Sequence, residues 1–186
     1  SQDQISAAFG GFNRIEFYQD DTFDVSPVIL PGQRRNELQD HLMLFFTGFS
    51  RIASEVAKAK IENLKNRVAE LNYMRQMVDE ALSILGKRDE PIDRFGHLLA
   101  ESWKYKRGLS DRVSTPAIDD LYETALRAGA IGGKLLGAGG GGFLLLFVRP
   151  ELQARVIENL GKLVYVPFRF ETAGTKVVLY QPNGLG

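Results

Sequence analysis

A run of glycines followed at once by an apolar segment is the feature that most constrains how this chain folds. Five of the six residues from Gly137 to Gly142 are glycine, and Phe143 to Val148 are all apolar. Each glycine costs about 0.5–1 kcal/mol of backbone entropy relative to alanine. The run therefore indicates a backbone path that side chains would prevent. Two explanations are open: a loop that lets a ligand come close, or a tight ligand-free connection between two core strands.

The residues after the glycines exclude two well-known phosphate-binding loops. The spacing from Gly137 to Gly142 satisfies G-x-G-x-x-G, but a dinucleotide fingerprint opens a helix. The apolar run that ends at Arg149 and Pro150 is instead typical of a buried strand. A Walker loop also requires Gly-Lys-Ser/Thr after the glycines, and this sequence has none there. The pattern predicts a strand, a glycine loop and a second strand.

The loop and the residues before it resemble a motif of a kinase superfamily. Lys134 to Phe143 read Lys-Leu-Leu-Gly-Ala-Gly-Gly-Gly-Gly-Phe. This is similar to the third conserved motif of the GHMP kinases, which include galactokinase, homoserine kinase, mevalonate kinase and phosphomevalonate kinase. The resemblance implies that the loop belongs to the C-terminal domain and forms part of the wall around the transferred phosphate. The loop residues are Gly137, Ala138, Gly139, Gly140, Gly141 and Gly142.

Composition limits the classes of partner. Of 186 residues, 44% are hydrophobic and 25% charged, with 23 basic and 23 acidic side chains. This balance gives no general attraction to nucleic acid or to a membrane surface, and no apolar run is long enough to span a bilayer. The chain has no cysteine, which excludes thiolate metal sites and is compatible with the cytoplasm, where we expect the protein. His41 and His97 are interpreted as surface or helix residues, and no metal site is predicted.

The first residues resemble part of a kinase active site. Ser1 to Phe9 have helical composition and end at two glycines, and two short strands are predicted over 12–18 and 22–29. Gln2-Asp3-Gln4 and the residues up to Asn13 are similar to the segment of sugar-phosphorylating GHMP kinases that carries the catalytic aspartate. The resemblance implies that Asp3 orients or deprotonates the attacking hydroxyl. The residues alone favour a simpler role, a carboxylate that stabilises a helix N-terminus.

Three helices are predicted in the middle of the chain. The first begins after Ser50 and ends at Gly86, and its apolar stripe is interpreted as one packed face. The seam of a homodimeric coiled coil is the alternative. The second has Pro91 in its first turn, and the third is capped by Thr115 and ends at Gly129.

Two segments suggest contacts with a phosphate carried by the substrate. Thr47 to Ala53 read Thr-Gly-x-Ser-Arg-x-Ala, which is similar to the sugar-kinase branch of the superfamily. Leu98 to Arg107 read Leu-Leu-x-Glu-x-Trp-x-x-Lys-Arg, which resembles heptose 7-phosphate kinases and their fucokinase-like relatives. Arg51, Lys106 and Arg107 are therefore candidate phosphate contacts, with arginine able to bind in a bidentate manner. The alternative for the last two is a solvated helix end favoured by the helix dipole.

The order of elements predicts the fold class. A short strand at 42–46, the strands around the glycine loop, a helix from Pro150 and strands at 163–170 and 176–180 fit a ferredoxin-like α+β sandwich with long added helices. The resemblance implies the same fold. It assigns residues 31–186 to a GHMP kinase C-terminal domain and residues 1–30 to the remnant of an N-terminal domain of the ribosomal-S5-like type.

The resemblance covers essentially the whole chain and implies a function. We expect an ATP-dependent sugar kinase that phosphorylates the anomeric hydroxyl of a sugar phosphate. The preferred substrate is D-glycero-D-manno-heptose 7-phosphate, on the way to a nucleotide-activated heptose for surface polysaccharide. The alternatives are a kinase for an unphosphorylated sugar, such as a fucokinase or galactokinase, a non-catalytic sugar-binding regulator, and a helical interaction module.

Two further motifs of the family are missing from this sequence. One is the Gly-x-Gly-Ser-Ser type loop that wraps the nucleotide phosphates and leads to a magnesium ligand. ATP and Mg²⁺ are therefore expected to be bound mainly by the N-terminal half of the same kinase. We expect the 186 residues to be a fragment that is inactive by itself.

Overall fold

The computed structural model describes residues 2–48, 67–111 and 113–178. The chain divides into two compact units, Ser1–Leu30 with Arg169–Gly186, and Pro31–Phe168. The predicted domains, 1–30 and 31–186, stay a prediction. Residues 169–178 group with the first segment rather than with the main sheet.

The first unit contains a helix and a hairpin. Helix α1 (Gln2–Phe9) ends at two glycines with φ of 66° and 75°, as the sequence predicted. Strands β1 (Asn13–Phe17) and β2 (Phe23–Pro27) pair antiparallel, in agreement with the two predicted strands. The strand predicted from Lys176 is wrong in its described residues, 176–178. Just before them, the Thr175 N–H donates to the carbonyl of Ala7 at 3.1 Å. The backbone there therefore bonds to helix α1 and not to a neighbouring β-strand.

The second unit is organised by a four-stranded sheet. Its strands are β3 (Leu42–Phe46), β4 (Ala130–Leu135), β5 (Phe143–Val148) and β6 (Val164–Tyr165). They lie in the order β4-β5-β3-β6 and all neighbours are antiparallel. This is the strand order of a ferredoxin-like sandwich, as predicted. The strand predicted over 163–170 is shorter than expected, because β6 pairs only with the last two residues of β3.

The described part of the second unit also contains helices. They are α2 (Gly32–His41), α3 (Val68–Gly86), α4 (Asp93–Gly108), α5 (Pro116–Ala128) and α6 (Gln153–Asn159), the last preceded by a 3₁₀ turn (Pro150–Leu152). Helix α5 is capped as predicted: the Thr115 hydroxyl accepts from the Ile118 N–H at 3.3 Å. Gly129 ends the helix with φ 116°. Within the described ranges, no helix is long and apolar enough to cross a bilayer.

Two helix starts differ from the prediction. Arg67 has φ −126° and ψ 30°, so α3 begins at Val68, and the uninterrupted helix predicted from Ser50 to Gly86 is wrong at Arg67. Ser50 itself lies outside the described residues. Helix α4 begins at Asp93, so Pro91 precedes the helix instead of occupying its first turn.

A large apolar core packs against the sheet, and α4 contacts the sheet very closely. The core includes Phe45, Leu144 and Leu146 from the strands, packed with residues of α4, α5 and α6. A side chain at Gly132 of β4 would come within 2.1 Å of the Gly96 carbonyl in α4. The two glycines therefore let helix and strand backbones touch, which fixes where the C-terminal end of α4 meets the glycine loop.

Candidate functional site

The glycine loop joins β4 to β5, as the sequence predicted. All five of its glycines have positive φ: 71° at Gly137, 120° at Gly139, 77° at Gly140, 155° at Gly141 and 111° at Gly142. A side chain makes this region of conformational space costly. The backbone path of the loop therefore explains its composition.

Two neighbouring segments fix the loop in place. The Gly140 N–H donates to the Val113 carbonyl at 2.9 Å. At the other end, the Thr47 N–H donates to the Gly142 carbonyl at 2.9 Å. The Thr47 hydroxyl accepts from the Gly142 N–H at 3.1 Å and donates to its carbonyl at 3.0 Å. These hydrogen bonds hold the loop in one conformation.

Lys106 contacts the first residue of the loop, Gly137. Its side chain comes from the last turn of α4 and is only 8% exposed. Nζ donates to the carbonyls of Leu135 at 2.8 Å and Gly137 at 2.7 Å. It also lies 5.9 Å from the centre of the Trp103 ring. Lys106 thus binds the end of β4 and the first residue of the loop together.

Four amides of the loop have no acceptor within the protein's described part. The N–H groups of Gly137, Ala138, Gly139 and Gly141 find no hydrogen-bond acceptor among the residues that the structure describes. Successive backbone N–H groups in a loop of this type form a concavity that suits an anion. The geometry favours the first of the two explanations for the glycines, close approach of a ligand.

A polar cleft lies between the end of α4 and the start of α5. Its volume is about 440 Å³. Arg107 donates from Nη1 to Asp119 Oδ1 at 2.9 Å, and the Ser114 hydroxyl donates to the same oxygen at 2.7 Å. The cleft is lined by Lys104, Arg107, Gly108, Ser110, Asp111, Ser114, Thr115, Pro116 and Asp119.

Tyr122 is one of the buried residues of α5. Its ring centre is 6.4 Å from that of Trp103. Burial raises the pKa of the Tyr122 hydroxyl above its usual range. This hydroxyl is therefore neutral at physiological pH and does not supply a base.

Comparison with known protein families shows which family this domain belongs to. Residues 80–166, which include α4, α5 and the whole glycine loop, match the family described as GHMP kinases C terminal. The chain carries a GHMP kinase C-terminal domain. The resemblance stated from the glycine motif is confirmed.

Some relatives of this GHMP kinase domain are named as sugar kinases and others as mevalonate kinases. A D-glycero-alpha-D-manno-heptose 7-phosphate kinase of Campylobacter jejuni is 34% identical over 87% of this chain and 48% of its own length. A bifunctional fucokinase/GDP-fucose pyrophosphorylase of Arabidopsis thaliana is 25% identical over 85% of this chain and 15% of its own length. The crystal structure of a D-glycero-D-manno-heptose 1-phosphate kinase of Bacteroides thetaiotaomicron is 25% identical, with a TM-score of 0.68 over 96% of this chain and 49% of that one. The chain thus spans half or less of each of these proteins.

The structure brings only some of the predicted site residues together. Lys106 lies against the glycine loop, while its neighbour Arg107 points to the other side, into the polar cleft. Asp3 belongs to the first unit, where it is exposed in the first turn of α1. Arg51 lies outside the described residues. The roles predicted for these residues stay predictions.

Both histidines lie on helices, as the sequence suggested. His41 ends α2, stacks on Phe147 with ring centres 5.0 Å apart, and has Nδ1 2.7 Å from the Glu37 carbonyl. His97 is exposed on α4. Across the described ranges, no cluster of acidic, histidine or cysteine residues could hold a metal ion.

Sequence reasoning missed two residues that shape the site. Thr47 was noted only as part of a motif, although its position directly after a buried strand indicates a sheet edge. Asp119 lies in the first turn of α5, and it also pairs with Arg107 and accepts from Ser114. A carboxylate three residues after a Thr-Pro cap carries no signal that distinguishes these roles.

Proposed function

We propose that this chain supplies the C-terminal domain of an ATP-dependent sugar kinase. The proposed reaction is phosphorylation of the anomeric hydroxyl of a sugar phosphate, preferably D-glycero-D-manno-heptose 7-phosphate. The product would lead to a nucleotide-activated heptose for surface polysaccharide. The observation that carries the proposal is the ordered glycine loop with its four available amides, and the names of two similar proteins suggest the substrate class.

The glycine loop is proposed to surround the transferred phosphoryl group. Negative charge spreads over the equatorial oxygens of that group in the transition state. Backbone N–H groups that are already oriented stabilise such charge without reorganisation, and loss of one such donor costs about 10²- to 10³-fold in rate. The amides of Ala138, Gly139 and Gly141 are the donors that we assign to this task.

Asp3 is the proposed base or orienting group for the attacking hydroxyl. Phosphoryl transfer depends mostly on positioning, and a carboxylate within hydrogen-bond reach of the hydroxyl both orients it and accepts its proton. Such a group contributes about 10²- to 10⁴-fold in rate. The support for Asp3 is its place in a segment similar to that of sugar-phosphorylating GHMP kinases.

The polar cleft is the proposed subsite for the phosphate that the sugar already carries. Arg107 uses one guanidinium nitrogen for Asp119 and is about one-third exposed. Its fork suits a phosphate, and the hydroxyls of Ser114 and Thr115 suit a polyhydroxylated ligand. Arg51 stays a second candidate for the same phosphate.

ATP and Mg²⁺ are proposed to bind mainly to the N-terminal half of the same kinase. A triphosphate with its metal needs several oxygen ligands and a pocket for the base. The complete kinase is therefore this domain together with that half. We expect no turnover from the 186-residue chain alone.

A substrate panel tests the proposal. The complete kinase is incubated with ATP and Mg²⁺ and with heptose 7-phosphate, fucose or mevalonate, and the products are followed by ³¹P NMR. We expect the largest kcat/KM for heptose 7-phosphate and a new anomeric phosphate in its product. The Asp3→Asn enzyme, which keeps the shape of the side chain, should lose at least about 10²-fold in kcat.

Two results would contradict the proposal. Faster turnover of fucose would favour a kinase for an unphosphorylated sugar, the alternative that the plant fucokinase relative supports. Absence of phosphoryl transfer to any sugar, combined with full biological activity of the Asp3→Asn protein, would favour a non-catalytic sugar-binding regulator.

A further inference from the structure

Lys106 is a buried cation whose ammonium group is bonded to backbone carbonyls of the protein. It is 8% exposed, and Nζ donates to the carbonyls of Leu135 and Gly137 at 2.8 and 2.7 Å. An ammonium group removed from water is destabilising unless its hydrogens are bonded. Here the carbonyls at the start of the glycine loop satisfy that requirement. The cation is therefore built into the base of the loop.

The planarity of the peptide bond connects this contact to a loop amide. In a trans peptide, the carbonyl of one residue and the N–H of the next point in opposite directions. Lys106 holds the carbonyl of Leu135, and the N–H of Leu136 accordingly points the other way, to the Phe143 carbonyl at 2.8 Å. By the same geometry, a carbonyl of Gly137 held by Lys106 turns the Ala138 N–H away from the lysine.

We infer that Lys106 is a positioning residue that aims the Ala138 N–H at the transferred phosphate. It also keeps a positive charge behind the loop, in a layer that the Trp103 ring shields from water. This assigns Lys106 a role different from the substrate-phosphate contact that the sequence suggested. The identity of the phosphate rests on the proposed function, whereas the hold of Lys106 on the loop does not.

The same helix supplies a matched control. Lys104 lies two residues before Lys106 on α4, carries the same charge and lines the polar cleft, but it is exposed. Replacement of either lysine by methionine removes one positive charge and keeps most of the aliphatic side chain. Only Lys106→Met removes the donors to the two loop carbonyls.

Hydrogen exchange tests the hold on the loop in the 186-residue chain. Removing the lysine frees the Gly137 carbonyl, so we expect the bonded amides of Leu136 and Gly140 to exchange at least about tenfold faster in Lys106→Met. They should be unchanged in Lys104→Met. Lys106→Arg retains the charge and the donors and should restore most of the protection. Exchange in Lys106→Met equal to that of the unmodified chain would overturn the inference.

Kinetics of the complete kinase test the role in catalysis. A donor that acts on the transition state changes kcat, so Lys106→Met should lower kcat by about 10²-fold with KM for heptose 7-phosphate within about twofold. Lys106→Arg should recover part of kcat. A rise in KM for heptose 7-phosphate at unchanged kcat would show a substrate-phosphate ligand and contradict the inference. If the unmodified kinase phosphorylates no sugar, the proposed function fails, and the exchange experiment still decides whether Lys106 holds the loop.

Discussion

The glycines of the loop differ in what surrounds them, although the sequence makes them look alike. At Gly139, φ is 120° and a Cβ would lie 2.7 Å from the Val113 carbonyl oxygen and 2.8 Å from its Cα. At Gly137, φ is 71° and a Cβ would meet no atom within 4 Å. One position is restricted by both conformation and space, and the other by conformation alone.

Alanine substitutions separate these two restrictions. Gly137→Ala should lower the free energy of unfolding by about 1 kcal/mol, the strain of a left-handed residue. Gly139→Ala adds a clash with backbone atoms that cannot rotate away, and it should lower the same quantity by at least about 2 kcal/mol more. Urea unfolding of both variants measures the difference. Equal effects would show that Val113 does not press on the loop.

The direction of Lys106 shows what the sequence could and could not provide at this scale. The motif Leu98 to Arg107 made Lys106 a candidate site residue, and the structure places its Nζ against the glycine loop. Its contact with the loop carbonyls depends on how closely α4 lies on β4, and Gly96 and Gly132 determine that distance. Two glycines in separate elements carry no sequence signal that they meet. The motif therefore made Lys106 a candidate, but the sequence could not predict the direction of its side chain.

At the scale of elements, helix α2 is attached to the rest of its unit by a buried arginine. Arg34 is 4% exposed and donates to the carbonyls of Ile84 at 2.7 Å and Glu90 at 2.8 Å, and to the carboxylate of Glu37 at 2.7 Å. Ile84 lies in the last turn of α3, and Glu90 lies just before α4. One side chain therefore connects three elements.

Replacing this arginine should loosen that connection. Arg34→Met keeps the aliphatic part of the side chain but leaves two buried carbonyls without a donor. We expect a loss of about 2–4 kcal/mol in the free energy of unfolding. The neighbouring Arg35→Met serves as control and should stay within about 0.5 kcal/mol. Thermal unfolding followed by circular dichroism distinguishes them, and similar midpoints for the two variants would contradict the assigned role of Arg34.

Helix α2 also shows why apolar periodicity in the sequence does not reveal every helix. Its buried residues are Leu38 and Arg34, so a charged side chain occupies a position where a periodic pattern expects an apolar one. Helix α5, in contrast, shows Thr115, Pro116 and Gly129 at its ends, and the sequence predicted both ends. Elements with caps and regular apolar spacing were predictable. The attachment of α2 by a buried arginine and the start of α3 at Val68 were not.

At the scale of the whole molecule, the sheet was predictable because its strands and helices follow one another in a known order. The ferredoxin-like assignment was made from the strands at 42–46 and around the glycine loop, the helix from Pro150 and two later strands, of which the one predicted from Lys176 is wrong in its described residues. The grouping of residues 169–178 with the first segment was not predictable, since it depends on contacts between distant parts of the chain, such as Phe12 with Phe170 at 4.6 Å between ring centres. The same division places Asp3 and the glycine loop in different units.

The central claim is that the glycine loop binds a phosphate through its backbone amides. It is tested by NMR on the complete kinase labelled with ¹⁵N-alanine and ¹⁵N-glycine, with Mg²⁺, heptose 7-phosphate and a non-hydrolysable ATP analogue added together. The account predicts downfield shifts for the amides of Ala138, Gly139 and Gly141, while the amide of the exposed Gly86 at the end of α3 stays unchanged. Saturation of the enzyme with both ligands without movement of the three loop amides would contradict it.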